Sequence, residues 1–290
     1  MFKRTLTAIL LIPPVVYLIG WSPEWLLLLA VVAAVFLALH EYFGLCRAMG
    51  IKVFSVMGYG ASALLCAAQM LPRRASPSII LFLLIVFLLV ITTLAMRRSM
   101  ELKDYLAATS ATIFGIIYIG LSLSCLVQIR FANPVFGGHV MVSRGWGGLP
   151  ALTPGSLLLL LMFLTIWAGD ICAYLVGRPL GRTPFFARIS PRKTWEGALA
   201  GFAGSLLAAG AFAHWFWKTA DLKTVMLLAA WIAVAGQVGD LVESAIKRGA
   251  NQKDSGTLLP GHGGFLDRID SLIFAAPALW LALFLLGAFS

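Results

Sequence analysis

"WLLLLAVVAAVFLALHEYFGLC", Trp25 to Cys46, is a 22-residue run whose only ionisable side chains before its closing cysteine are His40, Glu41 and Tyr42, crowded towards its end. As a helix rising 1.5 Å per residue it spans roughly 33 Å, enough to cross the ~30 Å hydrocarbon core of a bilayer. Lipid offers nothing for a bare N–H or C=O to bond, so a crossing run must close its hydrogen bonds on itself. The stretch therefore predicts a transmembrane helix.

Working outward, the pattern recurs. Apolar runs lie at Thr5–Trp21, Trp25–Cys46, Val53–Leu71, Ser78–Met96, Leu106–Ile129, Gly155–Val176, Gly197–Trp217, Thr224–Ile246 and Ile269–Phe289. The alternating ten-residue segments of a membrane barrel are missing. Of the 290 residues, 60% are hydrophobic and 12% charged, and the mean hydropathy is +0.93. The expected fold is an all-α polytopic membrane protein of about nine transmembrane helices. The first run has a basic start, Lys3 and Arg4, but no small-x-small cleavage site follows it and the chain continues "LIGWSPEW", so it reads as a retained span bent by Pro13 and Pro14.

Charge orients the bundle. With the N-terminus in the cytoplasm and nine spans, the C-terminus lies outside, and sixteen of the 22 lysines and arginines fall in cytoplasmic segments. The net charge of +10 then meets anionic headgroups. It is no signature of nucleic-acid binding, because no soluble basic domain exists to carry one. Cys46, Cys66, Cys125 and Cys172 form no paired or metal-type spacing and read as small apolar residues.

The two halves differ in kind. Over residues 1–150, about five helices plus an outer loop, the acidic residues are Glu24, Glu41, Glu101 and Asp104, all near span ends. His40 and Glu41 are expected to snorkel to the interface, and this half reads as scaffold. Over residues 151–290, about four helices, carboxylates enter the apolar segments: Asp170, Asp240, Glu243, Asp267 and Asp270. A carboxylate at bilayer depth costs at least ~2.5 kcal/mol, so these should face a polar interior and have partners. This half reads as the catalytic domain.

Four clusters carry candidate chemistry. In "SAIKRGANQKD", Ser244 to Asp254, a helix continued to its end stacks Asp240, Glu243 or Ser244, and Lys247 on one face. A basic helix end alone is ordinary dipole complementation; the carboxylates upstream make it a candidate metal and phosphate site. In "PGHGGFLDRID", Pro260 to Asp270, glycines around His262 lead into a helix N-terminus, an anion site, with two acids in its first turns. Capping explains one aspartate there but not two together with Asp240 and Glu243. So many oxygen donors suit a hard cation such as Mg²⁺, whereas zinc would want histidine or cysteine. In "ISPRKTWEGALAG", Ser190 or Thr194 can cap a helix carrying Glu196, or Arg192 and Lys193 can meet phosphates. Asp170 is a candidate by depth alone, and equally a partner for Arg178 or Arg182. No Walker A stretch occurs.

Taken as a pattern, Ser244-x-x-Lys247-Arg248-x4-Lys253-Asp254, then Pro260-Gly-His262-Gly263-Gly264 and Asp267-Arg268-x-Asp270, resembles the signature of the CDP-diacylglycerol synthases, or phosphatidate cytidylyltransferases. Ser190 to Gly197 and Gly239-Asp240 resemble that family's other motifs. The resemblance is strong over about Asp170 to Asp270; the first half matches in layout and length. It implies the reaction CTP + phosphatidic acid → CDP-diacylglycerol + pyrophosphate, by a Mg²⁺-dependent membrane enzyme, often a homodimer, serving phospholipid synthesis. It further implies a catalytic set of Asp240, Lys247, Arg248, Lys253, Asp254, Asp267, Arg268 and Asp270. Asp240, Asp267 and Asp270 would hold the cation, with a second cation such as K⁺ beside it. Ser190, Arg192, Lys193, Thr194, Glu196, Ser244, His262, Gly263 and Gly264 would bind substrate. The site would face the cytoplasm from a bacterial inner membrane. Two other readings use the same residues: a CTP-dependent lipid or polyprenol kinase, and a transporter lined by Asp170 and Asp240.

Overall fold

The computed structural model describes residues 2–71, 76–97, 101–132, 135–136, 139–140, 151–258 and 263–287. Among them the chain is helical nearly throughout. The elements are α1 (Phe2–Trp21), α2 (Glu24–Ala48), α3 (Ser55–Ala68), α4 (Ser76–Arg97), α5 (Leu102–Arg130), β1 (Val135–Phe136), β2 (His139–Val140), α6 (Pro154–Leu180), β3 (Pro184–Phe186), β4 (Ser190–Thr194), α7 (Trp195–Phe216), α8 (Leu222–Gly249) and α9 (Leu266–Leu285). Each predicted apolar run is helical over most of its described residues.

Seven of these helices are long and apolar enough to cross a membrane: α2, most of α4 (Pro77–Met96), and α5 to α9. This makes the chain an all-α integral membrane protein. The 14-residue α3 and the Ile12–Trp21 part of α1 are shorter apolar helices. The run expected over Val53–Leu71 is trimmed at both ends, and α3 reaches only about 21 Å, short of a full crossing. The fifth run remains one helix but contains a six-residue π-helical segment, Ile116–Leu121. The only other regular structure among the described residues is two short antiparallel hairpins, β1–β2 and β3–β4.

Two compact units interleave along the chain. One comprises residues 1–23, 128–245 and 270–290, the other residues 24–127 and 246–269. In the first, α6 and α7 pack antiparallel along a seam of small residues. A Cβ on Gly201 would sit 2.9 Å from the Gly169 carbonyl oxygen, and one on Gly197 would sit 3.1 Å from the Gly177 Cα. Ser205 Oγ extends the seam by donating to the Thr165 carbonyl at 2.8 Å. Apolar side chains gain little from leaving lipid for a protein interface, so helices in a membrane associate through such close backbone approach and a few hydrogen bonds. In the second unit a core forms around Phe54, Leu65, Ile91, Ala95 and Ile116.

Candidate active site

In the first unit the site begins where α6 ends. Gly181 closes that helix, and the chain turns through β3 and β4, paired Pro184 with Thr194 and Phe186 with Ser190. Thr194 then caps α7, its Oγ1 accepting from the Gly197 amide at 3.2 Å. Glu196, one residue into α7, accepts from the amides of Arg182 and Thr183 at 3.2 Å. Phe185 meets Trp195 edge-on, with centroids 4.3 Å apart. Of the two readings available from sequence, the helix start is built, by Thr194 and Glu196, while Lys193 turns to a carboxylate of this chain. Its ammonium lies 2.5 Å from a carboxylate oxygen of Asp240 on α8. Ser190 is half-buried and Arg192 exposed.

Two contacts fix α8. Gln237 donates to the Ala198 carbonyl of α7 at 3.0 Å. Gly239 lets α9 approach so closely that a Cβ there would lie 2.6 Å from the Asp270 carbonyl oxygen. Any side chain at 239 would push the helices apart, and with them the acids on either side of the crossing. The result is an acidic group: Asp240, Glu243 and Asp270 present carboxylate oxygens all within 4.8 Å of one another. Glu243 is fully buried and the two aspartates are half-buried. Two full charges at that spacing repel by roughly 3–4 kcal/mol at an effective dielectric of 20. Lys193 offsets part of this, and a hard divalent cation taking oxygen ligands would offset the rest. Asp170 on α6 interacts electrostatically with Lys193, Asp240 and Asp270.

The second unit holds the remaining motif residues. Helix α8 stops in a Schellman arrangement. The Gln252 amide bonds the Lys247 carbonyl at 2.9 Å, the Asn251 amide bonds that of Arg248 at 3.0 Å, and Asn251 takes the left-handed φ of 54° that this stop requires. Lys247, in the last turn, makes an ion pair with Asp267 of α9 at 2.5 Å; their side chains are 12% and 11% exposed. Asp267 also accepts from the amides of Ser255 (3.1 Å) and Gly264 (2.8 Å). Gly263 has φ +81°, a conformation reserved in practice for glycine. Arg248, Lys253, Asp254 and Arg268 are exposed, Ser244 is buried in the first unit, and His262 lies outside the described residues.

The structure therefore brings Asp240 and Asp270 together but joins them with Glu243, while Asp267 is occupied by Lys247 and two amides. Glu243 was visible as an intramembrane acid; what sequence could not supply was its choice over Asp267. Glu41 departs most from expectation. It is 3% exposed rather than snorkelling, and it accepts from Ser255 Oγ at 2.7 Å and from the amides of Phe265 at 2.9 Å and Leu266 at 2.8 Å. His40 beside it is exposed.

Known proteins are similar to this chain over most of its length. A phosphatidate cytidylyltransferase of Synechocystis sp. is 36% identical over 279 residues, covering 90% of this chain and 89% of its own. The chloroplastic phosphatidate cytidylyltransferase 5 of Arabidopsis thaliana is 34% identical over 86% of this chain, which spans 64% of that longer protein. A phosphatidate cytidylyltransferase of Bacillus subtilis is 46% identical over 131 residues, 44% of this chain and 46% of its own. The sequence model of the cytidylyltransferase family matches residues 2–286. On a match that runs from the first helix through the last, the chain belongs to the cytidylyltransferase family.

Proposed function

We propose that this protein transfers the cytidylyl group of CTP to phosphatidic acid, releasing pyrophosphate and leaving CDP-diacylglycerol in the bilayer for phospholipid synthesis. The observation that carries the reading is the acidic group of Asp240, Glu243 and Asp270 with Lys193 against it, in a membrane chain of this family. An oxygen of the lipid phosphate attacks the α-phosphorus, a new P–O bond forms, and the bond to the β-phosphate bridging oxygen breaks. A phosphate monoester is largely ionised at neutral pH, its second pKa lying near ~6, so the attacking oxygen needs no strong base. Positioning and charge stabilisation then supply most of the rate.

The donor set fits Mg²⁺, which Asp240, Glu243 and Asp270 would hold, with K⁺ as a candidate second cation. When bound, such an ion neutralises and orients phosphate oxygens. Lys193 holds Asp240 in place and, with Ser190, Arg192 and Thr194, offers donors to phosphate. Lys247, steered by Asp267, and the exposed Arg248, Lys253 and Arg268 neutralise the triphosphate and lipid phosphate. Helices α2 to α5 serve as scaffold. The excess of lysine and arginine in the segments assigned to the cytoplasm supports a reaction at the cytoplasmic face of a bacterial inner membrane, and the family resemblance supports a homodimer as the working unit.

Purified protein in phosphatidate-containing nanodiscs, given CTP labelled at the α- or the γ-phosphate, tests the reaction. Label entering lipid from α-labelled CTP alone is expected. Entry from γ-labelled CTP would make the protein a kinase, and entry from neither would remove the assignment.

A further inference from the structure

Glu41 belongs to no motif, yet it is buried in α2 and spends its carboxylate on a segment more than 200 residues away in sequence. Oε2 accepts from Ser255 Oγ and the Leu266 amide, and Oε1 accepts from the Phe265 amide. The last two donors belong to the start of α9, whose leading amides have no partner within the helix and favour negative charge. The surrounding chain is shaped to admit this side chain. A Cβ on Gly256 would lie 2.5 Å from Oε1, and one on Gly264 would lie 2.6 Å from Oε2 and 1.9 Å from Ser255 Oγ. Ser255 itself is 5% exposed.

Ser255 links this carboxylate to Asp267 and Lys247 of the same unit, both residues of the motif. While its hydroxyl binds Glu41, its amide donates to Asp267, which also receives the Gly264 amide and the Lys247 ammonium. Each of the two carboxylates thus ties Ser255 to the stretch 264–266, Glu41 through Phe265 and Leu266 and Asp267 through Gly264. We infer that Glu41 is a positioning residue for the reaction: by fixing Ser255 and the first turn of α9, it sets where Asp267 stands and so where Lys247 presents its charge. The inference rests on the cytidylyltransfer reading. It adds a residue of the N-terminal half to the machinery of that reaction.

The test compares E41Q, E41D and S255A with wild type, measuring α-label transfer, KM for CTP, half-saturating Mg²⁺ and thermal unfolding in detergent. Gln fills the same volume but replaces one acceptor with an NH₂ group facing donors, whereas Asp keeps both acceptors and the charge. Turnover of E41Q should fall at least tenfold with KM for CTP and half-saturating Mg²⁺ moving less than threefold, since misplacement of about 1 Å can cost up to a hundredfold. E41D should retain more turnover than E41Q. S255A should lower turnover severalfold, and in E41Q/S255A the two losses should not multiply, because both act through one contact. Wild-type turnover per folded molecule in E41Q, or multiplying losses in the double variant, would overturn the inference. Should E41Q fail to fold, S255A decides: full turnover there overturns it, reduced turnover in a protein of normal unfolding temperature supports it. A wild-type protein that transfers no α-label would instead sink the underlying reaction.

Discussion

Lys247→Met offers the sharpest separation of folding from chemistry. The Lys247–Asp267 pair is almost fully enclosed, with a 2.5 Å contact and about a tenth of either side chain exposed. Removing one member of a buried pair strands the other charge, which typically costs about 3–5 kcal/mol. Asp267 keeps the amides of Ser255 and Gly264, which places K247M at the lower end, about 3 kcal/mol. Neutralising the stranded carboxylate in K247M/D267N removes the lone charge while leaving a carbonyl oxygen for an amide, so stability should return by about half or more. Activity should not follow. If the ammonium meets substrate phosphate, a charge-assisted contact of ~3 kcal/mol corresponds to roughly a hundredfold in kcat/KM, and the double variant has no ammonium to restore it. The assay pairs thermal unfolding in detergent with α-label transfer in nanodiscs. Recovery of turnover along with stability in K247M/D267N would refute the reasoning, since Lys247 would then matter only for holding the protein together.

D240N and D270N should each abolish most turnover while leaving membrane insertion intact, and raise half-saturating Mg²⁺ wherever residual activity can be titrated; unchanged Mg²⁺ dependence in both would remove the acidic group from cation binding. G239A forces a Cβ to within 2.6 Å of the Asp270 carbonyl oxygen, so overpacking by about 1–3 kcal/mol should lower the unfolding temperature and turnover together. T194V removes the cap on the Gly197 amide and should destabilise by about 1 kcal/mol, read by thermal unfolding. Ahead of α8, the Thr224 hydroxyl and amide bonded to Asp221 hold its carboxyl below the usual range. A carboxyl depressed in the folded state stabilises above its unfolded pKa, and that stability is lost as pH falls through the folded value. D221N should therefore flatten the acid side of the stability profile and leave neutral-pH turnover unchanged.

The membrane helices were legible because their cause is local. An uninterrupted apolar run in Trp25–Cys46 or Leu106–Ile129 must bond its own backbone wherever the rest of the chain goes. The glycines of the α6–α7 seam sat in plain view, but nothing local says that Gly169 will meet Gly201. Strand β4 of the β3–β4 hairpin was hidden inside a motif read as a helix entry. At three and five residues, the two strands are too short to show a period.

Carboxylates show the boundary between the two levels. By sequence, Glu41 and Glu24 are alike, acids beside the ends of the same apolar run, and Asp267 and Asp270 are alike, one helical turn apart. Sequence alone fixed the membrane class, the concentration of polar residues in the second half, and the phosphate-handling character of the motifs. Tertiary structure alone decided that Glu41 is buried under amides from Phe265 and Leu266, that Asp267 faces Lys247, and that Asp270 joins Asp240 and Glu243. A span is determined by the solvent its own residues require, whereas a charge in a low-dielectric interior takes its role from its partners, which for Glu41 lie more than two hundred residues away.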